Sequence, residues 1–265
     1  MIYEVTMSQL EASVLFDMTG VKFVPSTQGL NLIQVSSIGG MYFEEAQLKR
    51  DGYIEMQFRS DGAHITINEE IAAILQTFNE MKFALDLKLS YKTGQQNAIC
   101  IASEHYAVVY TVPEPNKITF TRMSLASDLQ LFLDEHIVVM DSPPGQGIKI
   151  PIEITAFEKA MELTNKAIAN SQIEKGISSL EQIMPATMAK GFYNLYAGSF
   201  DLLEMKFLIR EKDFTTELLI FQSPEAKYQI QGEQFTNYEI MPAATAEVRA
   251  TIDRLLRPMI ECLPQ

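Results

Sequence analysis

No run of apolar residues in this sequence approaches the roughly 18 that a membrane-spanning helix requires. Cysteine is scarce: Cys100 and Cys262 are the only two. That excludes a disulfide framework and fits a reducing compartment. Cations are also short, with 21 Lys and Arg against 34 Asp and Glu and a net charge of −13. Residues 1–148 carry 9 basic and 18 acidic side chains, and residues 149–265 carry 12 and 16. Without a concentration of positive charge, nothing displaces counterions from a nucleic-acid backbone, and anionic membrane surfaces repel the chain. Neither a nucleic-acid partner nor membrane insertion is expected. The opening "MIYEVTMSQLEA" places acid where a signal peptide has base, so the expected location is cytoplasmic.

Catalytic signatures are missing too. The glycines of "SIGGMYF" (37–43) and "PPGQG" (143–147) form neither a dinucleotide fingerprint nor a phosphate-binding loop, and there is no G-x-S-x-G. His64, His105 and His136 are far apart and have no metal-ligand spacing with Cys, Asp or Glu. His105 falls in a turn beside Glu104, and His136 ends a helix. Cys100 sits in "AICIAS" with Ala98 and Ala102 on its face, the setting of a buried, inert thiol. The acidic pairs Glu44-Glu45, Glu69-Glu70 and Asp134-Glu135 read as solvated faces. No enzyme, cofactor or metal is expected.

What the sequence does contain is an echo. "IYEVTMSQLEASV" (2–14) and "PIEITAFEKAMEL" (151–163) share an apolar-acidic-apolar start. Each then has Thr6 or Thr155, with Gln9 or Glu158 three residues later, which predicts a strand running into a capping-box helix. Further on, "FALDLKLSYKTGQQNAICIASEHYAVVYT" (83–111) and "KITFTRM" alternate with period 2, giving four strands. A helix over 124–137 follows, capped by Ser124, with Leu125, Leu129, Phe132 and Leu133 on one face. The second half repeats this order: strands in "FDLLEMKFLIR", "TTELLIFQ", "AKYQIQ" and "TNYEIM", then a helix over 242–256 with Pro242 in its first turn. The first half holds an extra segment, about residues 21–58.

These patterns predict an α/β (α+β) protein with pseudo-twofold character. Each copy holds a four-strand meander with helices before and after it. The first copy spans 1–140 and the second 148–265, packed as one body because a meander covered on one face leaves an apolar face and an edge to bury. Residues 141–147 read as a linker from their Pro and Gly content. Methionine is plentiful, 14 in all, and "QIMPATMAKGFYNLYAG" (182–198) concentrates Met184, Met188, Phe192, Tyr193 and Tyr196. Such residues suit either an adaptable partner surface or a core helix.

The order of elements resembles that of the EspG-like proteins of type VII (ESX) secretion loci. The resemblance is carried by Glu4-Val5-Thr6 running into a helix, by "EEIAAILQTFNEMKFALDLKLS" (69–90), by "NKITFTRMSLASDLQLFL" and by "NYEIMPAATAEVRATIDRLL". It implies a central antiparallel sheet of the two four-strand meanders flanked by helical bundles, and a non-catalytic cytosolic chaperone that binds the helical-hairpin tip of a secreted protein or WXG/PE-PPE-like heterodimer. It also implies the contact residues: a loop between meander strands, here Lys92, Thr93, Gly94, Gln95 and Gln96, and the C-terminal bundle around Met184, Met188, Phe192, Tyr193 and Tyr196. The alternative is a scaffold or small-molecule-binding protein of the same fold with no secretion role.

Overall fold

The computed structural model describes residues 2–21, 47–60, 62–91, 94–212, 214–233 and 236–265. It is a mixed α/β protein with a ten-stranded antiparallel sheet and a two-stranded ribbon. The chain divides into two compact units. The first comprises Met1–Ala84, Asn97–Phe132 and Met259–Gln265, and the second Leu85–Gln96 and Leu133–Pro258.

In the first unit, β1 (Ile2–Ser8) leads into α1 (Gln9–Met18). A ribbon of β2 (Ile54–Arg59) and β3 (Gly62–Ile67) precedes α2 (Glu69–Asn79). Strands β4 (Phe83–Tyr91), β5 (Gly94–Ala102), β6 (Ala107–Thr111) and β7 (Lys117–Met123) form the first meander, and α3 (Ala126–His136) follows; Leu85–Gln96 of β4 and β5 and the end of α3 from Leu133 belong to the second unit. Strand order in this unit is β1-β7-β6-β5. Helix α2 buries Ile71, Ile74, Leu75 and Phe78. These lie at i, i+3, i+4 and i+7, a single apolar stripe. Phe16, Phe78, Tyr110 and Phe120 join there, Phe16 and Phe78 edge to face at 4.9 Å. Arg122 is buried in the same unit, paired with Glu70 and lying 4.5 Å from the ring centroid of Tyr106.

The second unit starts from β8 (Ile150–Ile152) and three helices, α4 (Ile154–Ala169), α5 (Ile173–Glu181) and α6 (Ala186–Ala197). Strands β9 (Asp201–Ile209), β10 (Phe214–Gln222), β11 (Lys227–Glu233) and β12 (Thr236–Pro242) make the second meander, and α7 (Thr245–Glu261) ends it. Strand order is β4-β9-β10-β11-β12-β8. Alternation along the strands sends Phe221, Tyr228, Ile230, Tyr238 and Ile240 to the face covered by the helices. There they meet Phe157, Leu180, Met188 and Phe192.

Meander connectivity is therefore the same in both halves, with the first strand of each half paired beside the last strand of its meander; between that first strand and the meander the first half has α1, the ribbon and α2 among its described residues where the second has three helices. The helix starts differ from expectation. The capping box is Ser8 with Glu11, not Thr6 with Gln9: Glu11 N–H donates to Ser8 Oγ at 3.0 Å and Ser8 N–H to Glu11 Oε2 at 2.7 Å. Thr6 remains in β1 because the pairing with β7 runs on to Ser8, and its hydroxyl bonds that of Thr119 at 2.8 Å. Thr155 lies inside α4, which starts after Glu153 without a side-chain cap. Pro242 ends β12 opposite Tyr228 and does not open α7. Gly94, Gln95 and Gln96 begin β5 instead of forming a loop, and the extra segment falls largely on 22–46, outside the described residues.

The Pro-Gly segment 141–147 is a strap fastened to the second meander. The Gln222 amide donates to Val138 O and accepts from Met140 N–H, both at 2.9 Å. The fully buried Lys227 ammonium donates to Met140 O and to Thr245 Oγ1. Burial holds its pKa below the ordinary lysine value, and Arg249 lowers it further while Asp141 opposes. Gln146 N–H donates to the Tyr228 hydroxyl at 2.9 Å, and that hydroxyl donates back to Gln146 O at 3.1 Å. The glycines serve close approach: a Cβ on Gly145 would overlap the Tyr228 ring, and one on Gly147, at φ +122°, would sit 2.8 Å from Met188 Cβ. Gly145→Ala should therefore cost about 1–3 kcal/mol of stability through overpacking. Urea titration measures it, and a variant as stable as the parent would contradict this role for the strap.

Candidate functional site

The site lies where β4 ends, α6 ends and β9 begins, all in the second unit. A groove of about 580 Å³ is lined by Ser90, Tyr91, Ala197, Gly198, Ser199, Phe200 and Leu202. The C-terminal cap of α6 shapes one wall, with Gly198 N–H donating to the carbonyls of Asn194 and Leu195 at 3.2 Å. An aromatic staircase supports that wall. Phe192 stacks on Tyr196 at 6.2 Å, Tyr196 meets Phe200 at 4.9 Å, and Phe200 stacks on Phe221 at 5.9 Å. Phe200 is thus both a groove residue and the outermost ring of the core. A second cleft, about 750 Å³, adjoins the first and shares Gly198 and Ser199 with it.

A ladder of charges crosses neighbouring strands. Lys88 on β4 pairs with Glu204 on β9 at 3.1 Å, and Lys206 on β9 with Glu217 on β10 at 3.1 Å. The Tyr238 hydroxyl donates to Glu217. Leu202, Glu204 and Lys206 alternate onto one face of β9, and Ser90, Lys88 and Asp86 onto one face of β4. The ladder thus continues the line of the groove along the sheet. Burial pushes the Asp86 carboxyl above the usual carboxylate range; Glu204 and Glu217 add to this, while Lys206 and Lys88 oppose it. Burial also raises Asp201, and burial followed by the nearby Asp201 raises Tyr91. The groove presents apolar and aromatic surface, two serine hydroxyls and a neutral phenol, a lining suited to apolar contact with a folded or peptide partner.

The expected contact residues divide between core and surface. Met188 and Phe192 are completely buried, and Met184 and Tyr193 are nearly so. All four belong to the core of the bundle: Met188, Phe192 and Tyr193 on the face of α6 that covers the second meander, and Met184 just before that helix. Of the two readings open for this segment, these four take the core one, and Tyr196 is half-buried among the aromatic rings. Gly94, Gln95 and Gln96 are exposed at the start of β5, close in the chain to Tyr91. Lys92 and Thr93 lie outside the described residues. None of the expected contact residues that the structure describes lines the groove, which is formed by their chain neighbours Tyr91 and Ala197–Phe200. Sequence reasoning missed Tyr91, Phe200 and Leu202; the spacing of Phe192, Tyr196 and Phe200 at i, i+4 and i+8 was the available signal.

The cysteines offer no nucleophile. Burial pushes the Cys100 thiol far up and raises Cys262 to about 11, the latter donating to Met259 O and Ser103 O. Among the described residues, no group of three His, Cys, Asp or Glu side chains could hold a metal ion, and no helix is long and apolar enough to cross a membrane.

No protein-family model matches the sequence, and no curated protein matches it. The fold is similar to that of the type VII secretion system chaperone EspG5 of Mycobacterium tuberculosis, solved in complex with the PE25-PPE41 dimer. The TM-score is 0.59 at 11% identity, over 99% of this chain and 97% of that one. At that identity the likeness establishes the fold alone.

The charge ladder gives a pH prediction. A carboxyl whose folded pKa is raised adds stability that is complete below its unfolded value and is lost as pH rises through the folded value. Ionised Asp86 therefore costs stability at pH 7. Asp86→Asn should be the more stable protein at pH 7, with the difference shrinking as pH falls through the carboxylate range. Urea denaturation at pH 7 and pH 4.5 measures this; an Asn variant less stable at pH 7 would contradict it.

Proposed function

We propose that this chain is a non-catalytic cytosolic chaperone for a helical substrate of a type VII (ESX) secretion system. The carrying observation is the likeness to a type VII chaperone along nearly the whole of both chains. The EspG5 structure contains a PE25-PPE41 dimer, and a partner of that kind, a helical protein or WXG/PE-PPE-like heterodimer, is the cargo inferred here. The groove between Tyr91 and Ala197–Phe200, with the exposed start of β5 beside it, supports this reading by its chemistry. An apolar hairpin tip buries its side chains against Tyr91, Phe200 and Leu202, and the Gly94–Gln96 segment contacts it from the side. Binding then rests on a few apolar anchors. The protein's net negative charge steers and discriminates more than it binds.

The experiment is co-purification with small helical WXG- or PE-PPE-like proteins, using variants that separate site from core. Tyr91→Ala should weaken capture by about 1–3 kcal/mol at an unchanged melting temperature, as a hot-spot truncation does. Gly94→Asp should also weaken it, because a Cβ there meets no atom within 4 Å and the charge faces the partner. Phe192→Ala should instead cost about 3–5 kcal/mol of stability, since it leaves a cavity under the sheet. Full capture by both Tyr91→Ala and Gly94→Asp would overturn the site. Failure of every helical substrate to bind would overturn the chaperone reading.

A further inference from the structure

The second cleft has its own chemistry. Its walls are the strap residues Pro144, Gly145 and Gln146, the end of α6, and the turn Ser223–Ala226 between β10 and β11. Gly191 and Gly198 contribute no side chains, so the floor opens down to the Tyr228 hydroxyl, which already bonds Gln146 and fixes the strap wall. At about 750 Å³ it has the volume of a ligand pocket.

Three observations give it a sign. Among the described residues, Glu225 is the only charged one that lines it. It is exposed and has no ion pair among the described residues. The Ser223 hydroxyl holds the turn that presents it, accepting from the N–H groups of Glu225 and Ala226 at 3.3 Å. Second, α6 ends here and, like α1, α2, α5 and α7, has no basic residue in its last turn. The partial negative charge of its last carbonyls is left without a cation from its own last turn. Third, Gln146 and Asn194 both line the cleft, and each side-chain amide can donate and accept. The Lys227 ammonium belongs to the opposite face of β11 from Tyr228 and is spent on Met140 O and Thr245.

We propose that this cleft is a subsite that takes the side chain of a lysine or arginine from the bound partner. The cation pairs with Glu225 and the carbonyl end of α6, while Gln146 and Asn194 bond the peptide groups on either side of it. The subsite rests on the chaperone reading for the identity of its partner. It adds that the cargo carries a basic residue beside the apolar tip that occupies the adjoining groove.

The probe is a capped pentapeptide, acetyl-Gly-Ser-Lys-Ser-Gly-amide, with norleucine and glutamate analogues at the central position. Titration of the whole chain is followed by the backbone amide resonances of Gln146, Asn194, Ser199 and Glu225. The lysine peptide should shift these resonances saturably, and the other two should not. Glu225→Gln should weaken the lysine peptide about tenfold, as should raised salt. Equal binding of lysine and norleucine peptides, or indifference to Glu225→Gln, overturns the subsite. If the peptides fail while helical cargo is still captured in a Tyr91-dependent way, the subsite falls and the chaperone stands. If the lysine peptide binds as described and no helical cargo does, the chaperone reading falls and the cleft remains a basic-peptide site.

Discussion

The second unit depends on one constraint: the apolar face of its meander has to be covered, and Phe192 is the side chain that covers its centre. The ring is completely buried and lies edge to face with Phe221 at 5.1 Å and Tyr228 at 5.3 Å. Phe157 of α4 meets both Phe192 and Phe221. A ring of that size, buried on every side, contributes on the order of 2–3 kcal/mol of transfer free energy, and its removal costs more because a cavity remains. It also fixes which face of α6 points at the sheet. Met188 and Tyr193 follow it into the core, and Lys190 and Asn194 turn outward.

That same orientation places the functional surface. With the middle of α6 committed to packing, the helix offers a partner its end. There the aromatic row runs from Phe192 through Tyr196 to Phe200, and Phe200 opens into the groove. The strap is shaped by the core as well. Tyr228 packs against Phe192 on one side and bonds the strap backbone with its hydroxyl, so Gly145 and Gly191 are small because that ring stands beside them. Groove and cleft are two openings in the margin of one aromatic core, a rigid support for a site that has to accept a foreign surface.

Much of this architecture was legible in the chain. The alternation of "FALDLKLSY" and "KITFTRM" matches β4 and β7 residue for residue, because strands with one buried face write their period into sequence. Helix starts were less legible. Thr6 and Ser8 both offer a capping oxygen with Gln or Glu three residues on, and the choice between them is made by pairing with β7, a contact 110 or more residues away in the chain. The strap was misread for a similar reason: Pro and Gly signal flexibility unless a distant Tyr228 demands their smallness. Met188 and Phe192 showed the helical spacing of a buried stripe and of a binding stripe alike, and only the meander decided between them. Tyr91 carries no motif at all; its place beside Phe200 is a product of the β4–β9 pairing.

The central claim is that a helical partner docks on the margin formed by the β4–β5 hairpin and the end of α6. Hydrogen exchange of the whole chain, alone and with a helical-hairpin protein of the WXG or PE-PPE kind, tests that claim most directly. The account predicts added protection concentrated in peptides covering 90–97 and 194–202, with the segment 184–193 equally protected in both states because it is already core. Protection confined to other surfaces, with these two segments unchanged in the presence of bound substrate, would contradict it.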